Sequence, residues 1–226
     1  MCIETRYLYL KGNSFFKELD ETKLMELSTV VKAHNVYRGE SIIYGEGEYS
    51  KIYFVVKGKV KIAESNDMGD ELIKDILTEG DFFGDLSLHG NLPLDEYAEA
   101  LTSNTIVCSF KVSDFRRVLQ TNPDIALSYA TKVSSKLRKL ENRHADLVFR
   151  DAKARLIHFI KNWARMDGSL IGNKIVLPNY LTHSDIAGFI STSRQSVNVL
   201  LNELRDSGLL FYNRKKIELN DPGMWN

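Results

Sequence analysis

The chain contains 226 residues, 43% of them hydrophobic, and its 30 Lys and Arg side chains balance 30 Asp and Glu. This length accommodates two modest domains with hydrophobic cores, and the balanced charge does not by itself indicate a nucleic-acid partner. The two cysteines, Cys2 and Cys108, are too few for a disulfide framework. No apolar run approaches the roughly 18 residues of a membrane span, and none at the N-terminus has the character of a signal peptide. We therefore expect a cytoplasmic protein without a membrane partner.

The N-terminal part of the chain changes character near Val36. Residues 1–34 are predicted to be helical, because apolar residues recur at helical spacing between Phe15 and Val31. Residues 59–62 alternate between polar and apolar, which predicts a half-buried strand. Further short β-rich runs lie at residues 41–44, 51–57, 60–64 and 71–77, and glycines separate them. Short strands with this density of glycine turns predict a small sandwich or barrel.

A long helix is predicted from Asn122-Pro123-Asp124 onward, since proline is favoured in the first turn of a helix. Along this helix, residues with 4-3-4-3-4-3 spacing form a heptad seam: Ala126, Ala130, Val133, Leu137, Leu140, His144 and Leu147. The spacing is typical of a coiled coil between two chains, and a helix packed on its own domain is the alternative. A histidine at such a position is more often a packed polar group than a ligand.

Residues 182–204 predict two short helices joined by a tight turn. Thr182 is expected to cap the first helix in a capping box with Asp185, and Ser193 to cap the second. Opposite its apolar stripe, the second helix carries a polar face formed by Arg194, Gln195, Asn198 and Asn202. Such a face suits major-groove base edges, because Arg pairs with guanine, and Gln or Asn with adenine. A helical hairpin with a solvated polar face is the alternative.

Residues 209–219 follow as two short apolar strands around a basic tip, Asn213-Arg214-Lys215-Lys216. This pattern predicts a hairpin wing that lies against phosphates. Residues 151–226 hold ten Lys and Arg against seven Asp and Glu, a net charge of about +3, which mildly favours DNA. The expected base contacts are Arg194, Gln195 and Asn198. The expected phosphate contacts are Thr182, Ser193, Ser196, Lys215 and Lys216.

Leu181-Thr182, Asp185-Ile186-Ala187, Ser193 to Val197 and Leu200 to Gly208 together resemble the DNA-binding domain of Crp–Fnr transcription regulators. The resemblance continues upstream through residues 80–86 and the long helix, and it covers nearly the whole chain. It implies an α+β fold with an N-terminal cyclic-nucleotide-type β-roll, a long dimerisation helix and a C-terminal winged helix-turn-helix. The domains expected from it are residues 1–122 for effector sensing, 123–150 for dimerisation and 151–226 for DNA binding.

The resemblance also implies an effector pocket, for which the candidates are Phe83, Gly84, Asp85, Leu86, Tyr97 and Leu140. In relatives that bind cyclic AMP, a short helix and an Arg-Ser pair cradle the cyclic phosphate. This chain has no Lys or Arg between Asp75 and Phe110, and its matching window, residues 94–97, is acidic. A phosphate needs charge-assisted donors, so cyclic-nucleotide binding in the usual mode is disfavoured. No strand pattern points Lys57, Lys59 or Lys61 inward to replace the missing cation.

The effector and cofactor stay unidentified. An iron–sulfur cluster commonly requires four Cys thiolates, which two distant cysteines do not supply. Haem is an open alternative, with sensor-side ligand candidates at His34, His89, His144, Met68 and Cys108. No zinc spacing is present, and no metal ligand is predicted. Ser191 occupies a turn position that is commonly Gly in the family, so the turn between the two helices is expected to be slightly strained or to have a different shape.

The sequence bears on three classes of function. A DNA-binding transcription regulator accounts for the β-roll, the seam, the helix pair and the wing together. An enzyme would need a catalytic constellation, and the chain has no phosphate-binding loop and no nucleophile elbow, so no catalytic residue is predicted. A ligand-sensing module that acts on a protein partner is the alternative. The partners expected from the resemblance are double-stranded DNA, a second copy of the chain and RNA polymerase.

Overall fold

The computed structural model describes residues 2–43, 50–67, 69, 71–89 and 96–225. The chain divides into two compact units, Met1–Lys139 and Leu140–Asn226. Among the described residues, no helix is both long and apolar enough to span a bilayer.

The first unit combines helices with two four-stranded antiparallel sheets. The helices are α1 (Ile3–Gly12), a 3₁₀ turn (Ser14–Phe16), α2 (Glu21–Val30), α3 (Val112–Thr121) and α4 (Pro123–Phe149), the last of which continues into the second unit. The strands are β1 (Lys32–Val36), β2 (Ser41–Ile43), β3 (Lys51–Lys57), β4 (Val60–Ser65), β5 (Glu71–Leu77), β6 (Phe82–Gly84), β7 (Glu96–Ala100) and β8 (Thr105–Lys111). The sheets have the orders β1-β8-β3-β6 and β2-β7-β4-β5. The glycine-punctuated strands predicted a small sandwich or barrel, and the two observed sheets form the β-roll that the family resemblance implied.

Aromatic side chains dominate the core beneath the first sheet. Six of them pack with ring centroids between 4.9 and 6.1 Å apart: Phe15, Phe16, Phe54, Phe82, Phe110 and Phe115. Each is at most 1% exposed. The Phe15-Phe16 pair of the 3₁₀ turn thus packs on the sheet, and burial of such rings is a large part of the driving force for folding.

The prediction that residues 1–34 are helical was wrong at its C-terminal end. Helix α2 ends at Val30, and the chain then forms β1, in which Lys32 to Val36 pair with Ser109 to Thr105 of β8. The extended backbone of Val31 precedes this strand. Pairing with a strand about 70 residues away overrides the local helical pattern, and a single sequence does not reveal this long-range pairing.

The second unit surrounds α5 (Ala152–Asp167) with a helix pair and a small sheet. Its other helices are α6 (His183–Ile190), α7 (Arg194–Asp206) and α8 (Pro222–Trp225), and its strands are β9 (Ser169–Ile171), β10 (Lys174–Pro178), β11 (Leu210–Tyr212) and β12 (Lys216–Asn220). The sheet has the order β11-β12-β10-β9. Trp163 of α5 is buried and lies 5.0 Å from the ring of Tyr180. The predicted helix pair and wing are confirmed, whereas β9 and β10 were not predicted.

Candidate functional site

Helix α6 begins with the capping box that the sequence predicted. The Thr182 hydroxyl accepts a hydrogen bond from the Asp185 amide at 3.0 Å, and the Asp185 carboxylate accepts from the Thr182 amide at 2.7 Å. Asp185 is only 6% exposed, and its carboxylate also accepts from the Thr182 hydroxyl. The reciprocal bonds satisfy amides that the first helical turn leaves unpaired, so the start of α6 is fixed.

Helix α7 presents its polar face to solvent at its N-terminal end. The Ser193 hydroxyl caps the helix by accepting from the Ser196 amide at 3.0 Å. Arg194, Gln195 and Asn198 are all exposed, and their side chains have no hydrogen-bond partner among the residues that the structure describes. On the opposite face, Val197, Leu201 and Leu204 are buried. The three base-contact candidates therefore lie together on one accessible face.

The turn between α6 and α7 is held by two arginines that sequence reasoning missed. Ser191 adopts a left-handed conformation, with φ 54° and ψ 61°. Arg155 of α5 donates from Nε to the carbonyl of Ile190 at 2.8 Å and from Nη2 to that of Ser191 at 3.2 Å. Arg143 donates from Nη2 to the carbonyl of Phe189 at 2.9 Å and lies 4.3 Å from the centre of its ring.

These two guanidinium groups satisfy three successive carbonyls at the C-terminal end of α6. Carbonyls at this end have no helical partner, and cations there also interact favourably with the helix dipole. The bonds hold α6 in place where a non-glycine residue occupies the left-handed turn. No local signal identifies Arg143 or Arg155, because their partners are more than 30 residues away in the chain.

The wing is a hairpin between β11 and β12 with an ordered basic tip. The Asn213 side-chain oxygen accepts from the amides of Lys215 and Lys216 at 2.8 and 3.0 Å. Both lysines are exposed, but the Lys216 ammonium is 2.5 Å from the Glu218 carboxylate. Hydrogen bonds from Lys216 and then Lys174 lower the pKa of Glu218, so this carboxylate is charged and offsets part of the Lys216 charge. Lys215 is thus the better phosphate-contact candidate of the two.

In the first unit, the effector-pocket candidates on the 83–86 segment are involved mainly in the fold. Phe83 is 3% exposed and stacks on Tyr53, and Leu86 packs against the aromatic core. Gly84 has φ 97°, and a Cβ atom there would lie 2.5 Å from the Lys51 carbonyl oxygen, so glycine is required. Asp85 is 1% exposed and is hydrogen-bonded within its own loop.

The two remaining pocket candidates lie outside that segment. The Tyr97 hydroxyl donates to the Glu71 carboxylate. Leu140 lies on α4 and is 61% exposed. Whether an effector contacts either residue stays a prediction.

The lysines of the β-roll differ from expectation in one respect. Lys61 was not expected to point inward, but it is only 5% exposed and lies 3.0 Å from Glu71 and 3.4 Å from Glu99. Residues 60–63 of β4 are buried on both faces, so the prediction of a half-buried strand at 59–62 was also wrong. Burial of an ammonium group is costly unless carboxylates pair with it, and two do so here.

Two further cations of this unit are also paired with carboxylates. Lys74 lies 2.5 Å from Glu64 and 2.7 Å from Glu96. Lys136 of α4 lies 2.9 Å from Asp75 of β5. The charges of these lysines are therefore neutralised within the protein.

The haem-ligand candidates have partners or environments of their own. Cys108 is fully buried in the core, and burial raises the pKa of its thiol to about 12, so the thiol is protonated. His34 shares a hydrogen bond of 3.1 Å with Ser109, and burial lowers its pKa. Met68 lies outside the described residues. Within the described ranges, no group of three His, Cys, Asp or Glu side chains is placed to hold a metal ion.

The predicted seam lies on α4, which extends over 27 residues. Leu137, Leu140 and Leu147 are 58%, 61% and 45% exposed in the single chain, and His144 and Ala130 are also exposed. Val133 and Ala126 are half-buried, and Val133 packs against the aromatic core. The N-terminal residues of the seam are thus partly packed against their own domain. The apolar seam residues from Leu137 onward are accessible.

We predict that Ser191→Gly raises the free energy of unfolding of the second unit by about 1 kcal/mol, because glycine adopts the left-handed conformation without a Cβ penalty. Urea unfolding followed by tryptophan fluorescence measures this, since both tryptophans, Trp163 and Trp225, are buried in that unit. Ser207→Gly, at an ordinary φ of −79°, is the matched control and should gain no stability. A loss of stability in Ser191→Gly would show that the turn is not strained.

Each of the two units matches a known domain family. Residues 34–122 match the model of the cyclic nucleotide-binding domain, and residues 154–224 match the Crp-like helix-turn-helix domain. Together the two matches cover more than half of the chain. The chain is 27% identical over 186 residues to a global nitrogen regulator of Nostoc sp., covering 82% of this chain and 83% of the relative.

Two other similar proteins cover comparable shares of the chain. A CRP-like cAMP-activated global transcriptional regulator of Mycobacterium tuberculosis is 26% identical over 207 residues, covering 91% of this chain and 92% of the relative. In fold, the chain resembles a CooA mutant from Carboxydothermus hydrogenoformans with a TM-score of 0.73 at 23% identity, covering 87% of each chain. With its β-roll, long helix and Crp-like helix-turn-helix, the chain belongs to the Crp–Fnr family of DNA-binding transcription regulators.

Proposed function

We propose that the protein binds DNA as a homodimer in which α7 of each copy enters the major groove of one half-site. The main support for this proposal is the exposed face formed by Arg194, Gln195 and Asn198. It lies at the N-terminal end of a helix whose opposite face is buried. Arg194 fits the guanine edge, and the two amides fit adenine. We assign the phosphate contacts to Thr182, Ser193, Ser196, Lys215 and Lys216, and such contacts would fix the register of α7 on the duplex.

Dimerisation through α4 is the second part of the proposal. Exposed leucines at heptad spacing need a partner, since contiguous apolar surface of this kind is rarely left in water. A two-fold dimer would present two α7 helices to half-sites one helical turn of DNA apart. On DNA, we propose that the dimer acts on RNA polymerase in the cytoplasm and that it catalyses no reaction.

A third part of the proposal is that cyclic AMP and cyclic GMP do not control this protein, unlike the cAMP-activated relative from Mycobacterium tuberculosis. Three cations on or beside the acidic strands of the roll, Lys61, Lys74 and Lys136, are each paired with a carboxylate in the described structure. A buried phosphate that used one of these lysines would have to displace a carboxylate, which is unfavourable.

We predict that Arg194→Ala weakens binding to the best site by about 1–3 kcal/mol and relaxes preference at one base pair, because the bidentate guanine contact is lost. Lys215→Ala should weaken all sequences alike and reduce the slope of log affinity against log salt by about one. Binding-site selection followed by titration at several salt concentrations measures both effects. Arg205→Ala, in the last turn of α7, is the matched control and should leave base preference unchanged. If Arg194→Ala selects the same sequences as wild type, Arg194 does not read a base.

We predict that the double variant Leu137→Glu, Leu140→Glu is monomeric and loses affinity for two-half-site DNA, because it places like charges against each other across the two-fold axis. Analytical ultracentrifugation measures the oligomeric state. Leu127→Glu changes another exposed leucine of α4 that lies off the seam and should remain dimeric. A dimeric double variant would place the interface elsewhere.

We predict no saturable binding of cyclic AMP or cyclic GMP tighter than about 100 μM, which corresponds to roughly −5.5 kcal/mol. Isothermal titration calorimetry with each nucleotide at millimolar concentration measures this, and the selected operator duplex titrated into the same protein is the positive control. Tighter saturable binding would contradict the proposal and require a phosphate cradle of a different kind.

A further inference from the structure

Val199 is the one apolar side chain among the exposed residues of α7, a helix that the structure describes in full. It is 54% exposed, whereas the apolar residues of the opposite face, Val197, Leu201 and Leu204, are at most 2% exposed. Val199 therefore contributes little to the core that holds α7 on its own domain. Its place on the surface needs another explanation.

Helical spacing puts Val199 on the same surface as the three base-contact candidates. Val199 follows Gln195 by four residues, and side chains four residues apart in a helix are neighbours along one stripe. Asn198 follows Arg194 at the same spacing, so the two stripes lie side by side. One helical turn advances about 5.4 Å, and base pairs are stacked about 3.4 Å apart. With α7 in the major groove, Val199 thus reaches a base pair one or two steps from that of Gln195.

The next polar side chains along α7 are engaged within the protein. The Tyr212 hydroxyl of β11 donates to the Asn202 side-chain oxygen at 3.2 Å. The Glu203 carboxylate lies 2.9 Å from the Lys153 ammonium of α5. In the last turn, Arg205 and Asp206 are paired with each other at 3.0 Å. The exposed side chains of α7 without a hydrogen bond or ion pair in the described structure are therefore Arg194, Gln195, Asn198 and Val199.

An apolar side chain distinguishes bases by other means than an arginine or an amide does. Of the four bases, only thymine presents a methyl group in the major groove, and apolar side chains contact it. The other three present hydrogen-bonding groups without a methyl, and an apolar group that displaces their water leaves those groups without a partner. Valine also has one strongly preferred χ1 rotamer in a helix, so the contact costs little side-chain entropy. Attraction and exclusion therefore both favour thymine opposite Val199.

We propose that Val199 is a fourth base-reading residue of α7 and that it selects thymine through the C5 methyl group. This inference rests on the proposed function, because it names a base that α7 reads within each half-site. Arg194, Gln195 and Asn198 read their bases through hydrogen bonds, whereas Val199 reads one by packing. The preferred half-site therefore contains a selected thymine that is recognised by its methyl group.

Removal of this methyl group from the DNA tests the contact on the full-length protein. The operator selected by wild type is synthesised with deoxyuridine in place of each thymidine in turn, at equivalent positions of both half-sites. Uracil pairs with adenine as thymine does and lacks only the methyl group. Each duplex is titrated with wild type, Val199→Ala and Val30→Ala at one salt concentration, since DNA affinity depends strongly on salt. Val30→Ala is the matched control, because it makes the same change at an exposed valine of α2 in the first unit.

We expect one thymine in each half-site at which uracil weakens wild-type binding about tenfold, because a buried methyl contact is lost in both half-sites. Val199→Ala should bind the thymine duplex more weakly than wild type, and uracil at this position should change its affinity less than about twofold. Val30→Ala should respond to uracil as wild type does. Binding-site selection with Val199→Arg should change the preference at this base pair to G·C, because Arg pairs with guanine.

The outcomes separate this inference from the proposed function. If wild type selects an operator whose base preference depends on Arg194 but no uracil substitution weakens binding, the inference is overturned and the DNA-binding function stands. The same holds if wild type and Val199→Ala lose the same factor at every thymine. If wild type enriches no sequence, the proposed function fails and the inference fails with it. If Val199→Ala does not fold, selection with Val199→Arg decides: an unchanged preference at the uracil-sensitive base pair would overturn the inference.

Discussion

The turn between α6 and α7 is the constraint on which the DNA-binding face depends, because it fixes the direction in which α7 leaves α6. Ser191 occupies a position that commonly holds glycine in the family, and it adopts a left-handed conformation. The carbonyls before and at this residue accept from Arg155, and the carbonyl of Phe189 accepts from Arg143. A helix that reads base edges must be placed to within a fraction of an ångström, so these bonds matter more for recognition than their modest net energy suggests.

In the first unit, the governing constraint is that buried charge must be neutralised within the protein. Lys61 is paired with Glu71 and Glu99, and Asp85 is surrounded by donors from its own loop and from Ser50. Residues 83–86 thus keep the frame expected of the family's effector loop, while the lysines beside the acidic strands, Lys61, Lys74 and Lys136, are paired with carboxylates of the protein itself. Helix α4 is bonded to this loop through the Tyr129 hydroxyl, which donates to the carbonyl of Leu86.

Local patterns in the sequence predicted the parts of the structure that depend on neighbours in the chain. The capping box of Thr182 and Asp185, the Ser193 cap and the start of α4 at Pro123 follow from short-range chemistry, and each is confirmed. Strands 51–57 and 71–77 were predicted with the observed bounds, since alternating and β-branched residues between glycines define them. The polar face of α7 followed from helical periodicity alone.

The features that escaped prediction depend on partners far away in the sequence. Nothing near Arg155 indicates that its guanidinium bonds Ile190, and nothing near Asp85 indicates Ser50. Lys61 has the alternating pattern of a solvent-facing strand residue, yet carboxylates from two other strands make its burial tolerable. The β1 strand is formed by pairing with β8, which the helical pattern of its neighbourhood conceals. The loop at residues 83–86 could be located from the family resemblance, but the hydrogen bond from Ser50 to Asp85 could not.

The central claim is that this chain reads DNA as a two-fold dimer with α7 in the major groove. Hydroxyl-radical footprinting on a duplex selected by the purified protein, with its stoichiometry determined on the same duplex, tests it most directly. We expect two inverted half-sites with centres about 10 base pairs apart, bound by two copies of the chain, with protection on one face of the duplex. A selection that enriches no sequence, or a single half-site bound by one copy, would contradict it.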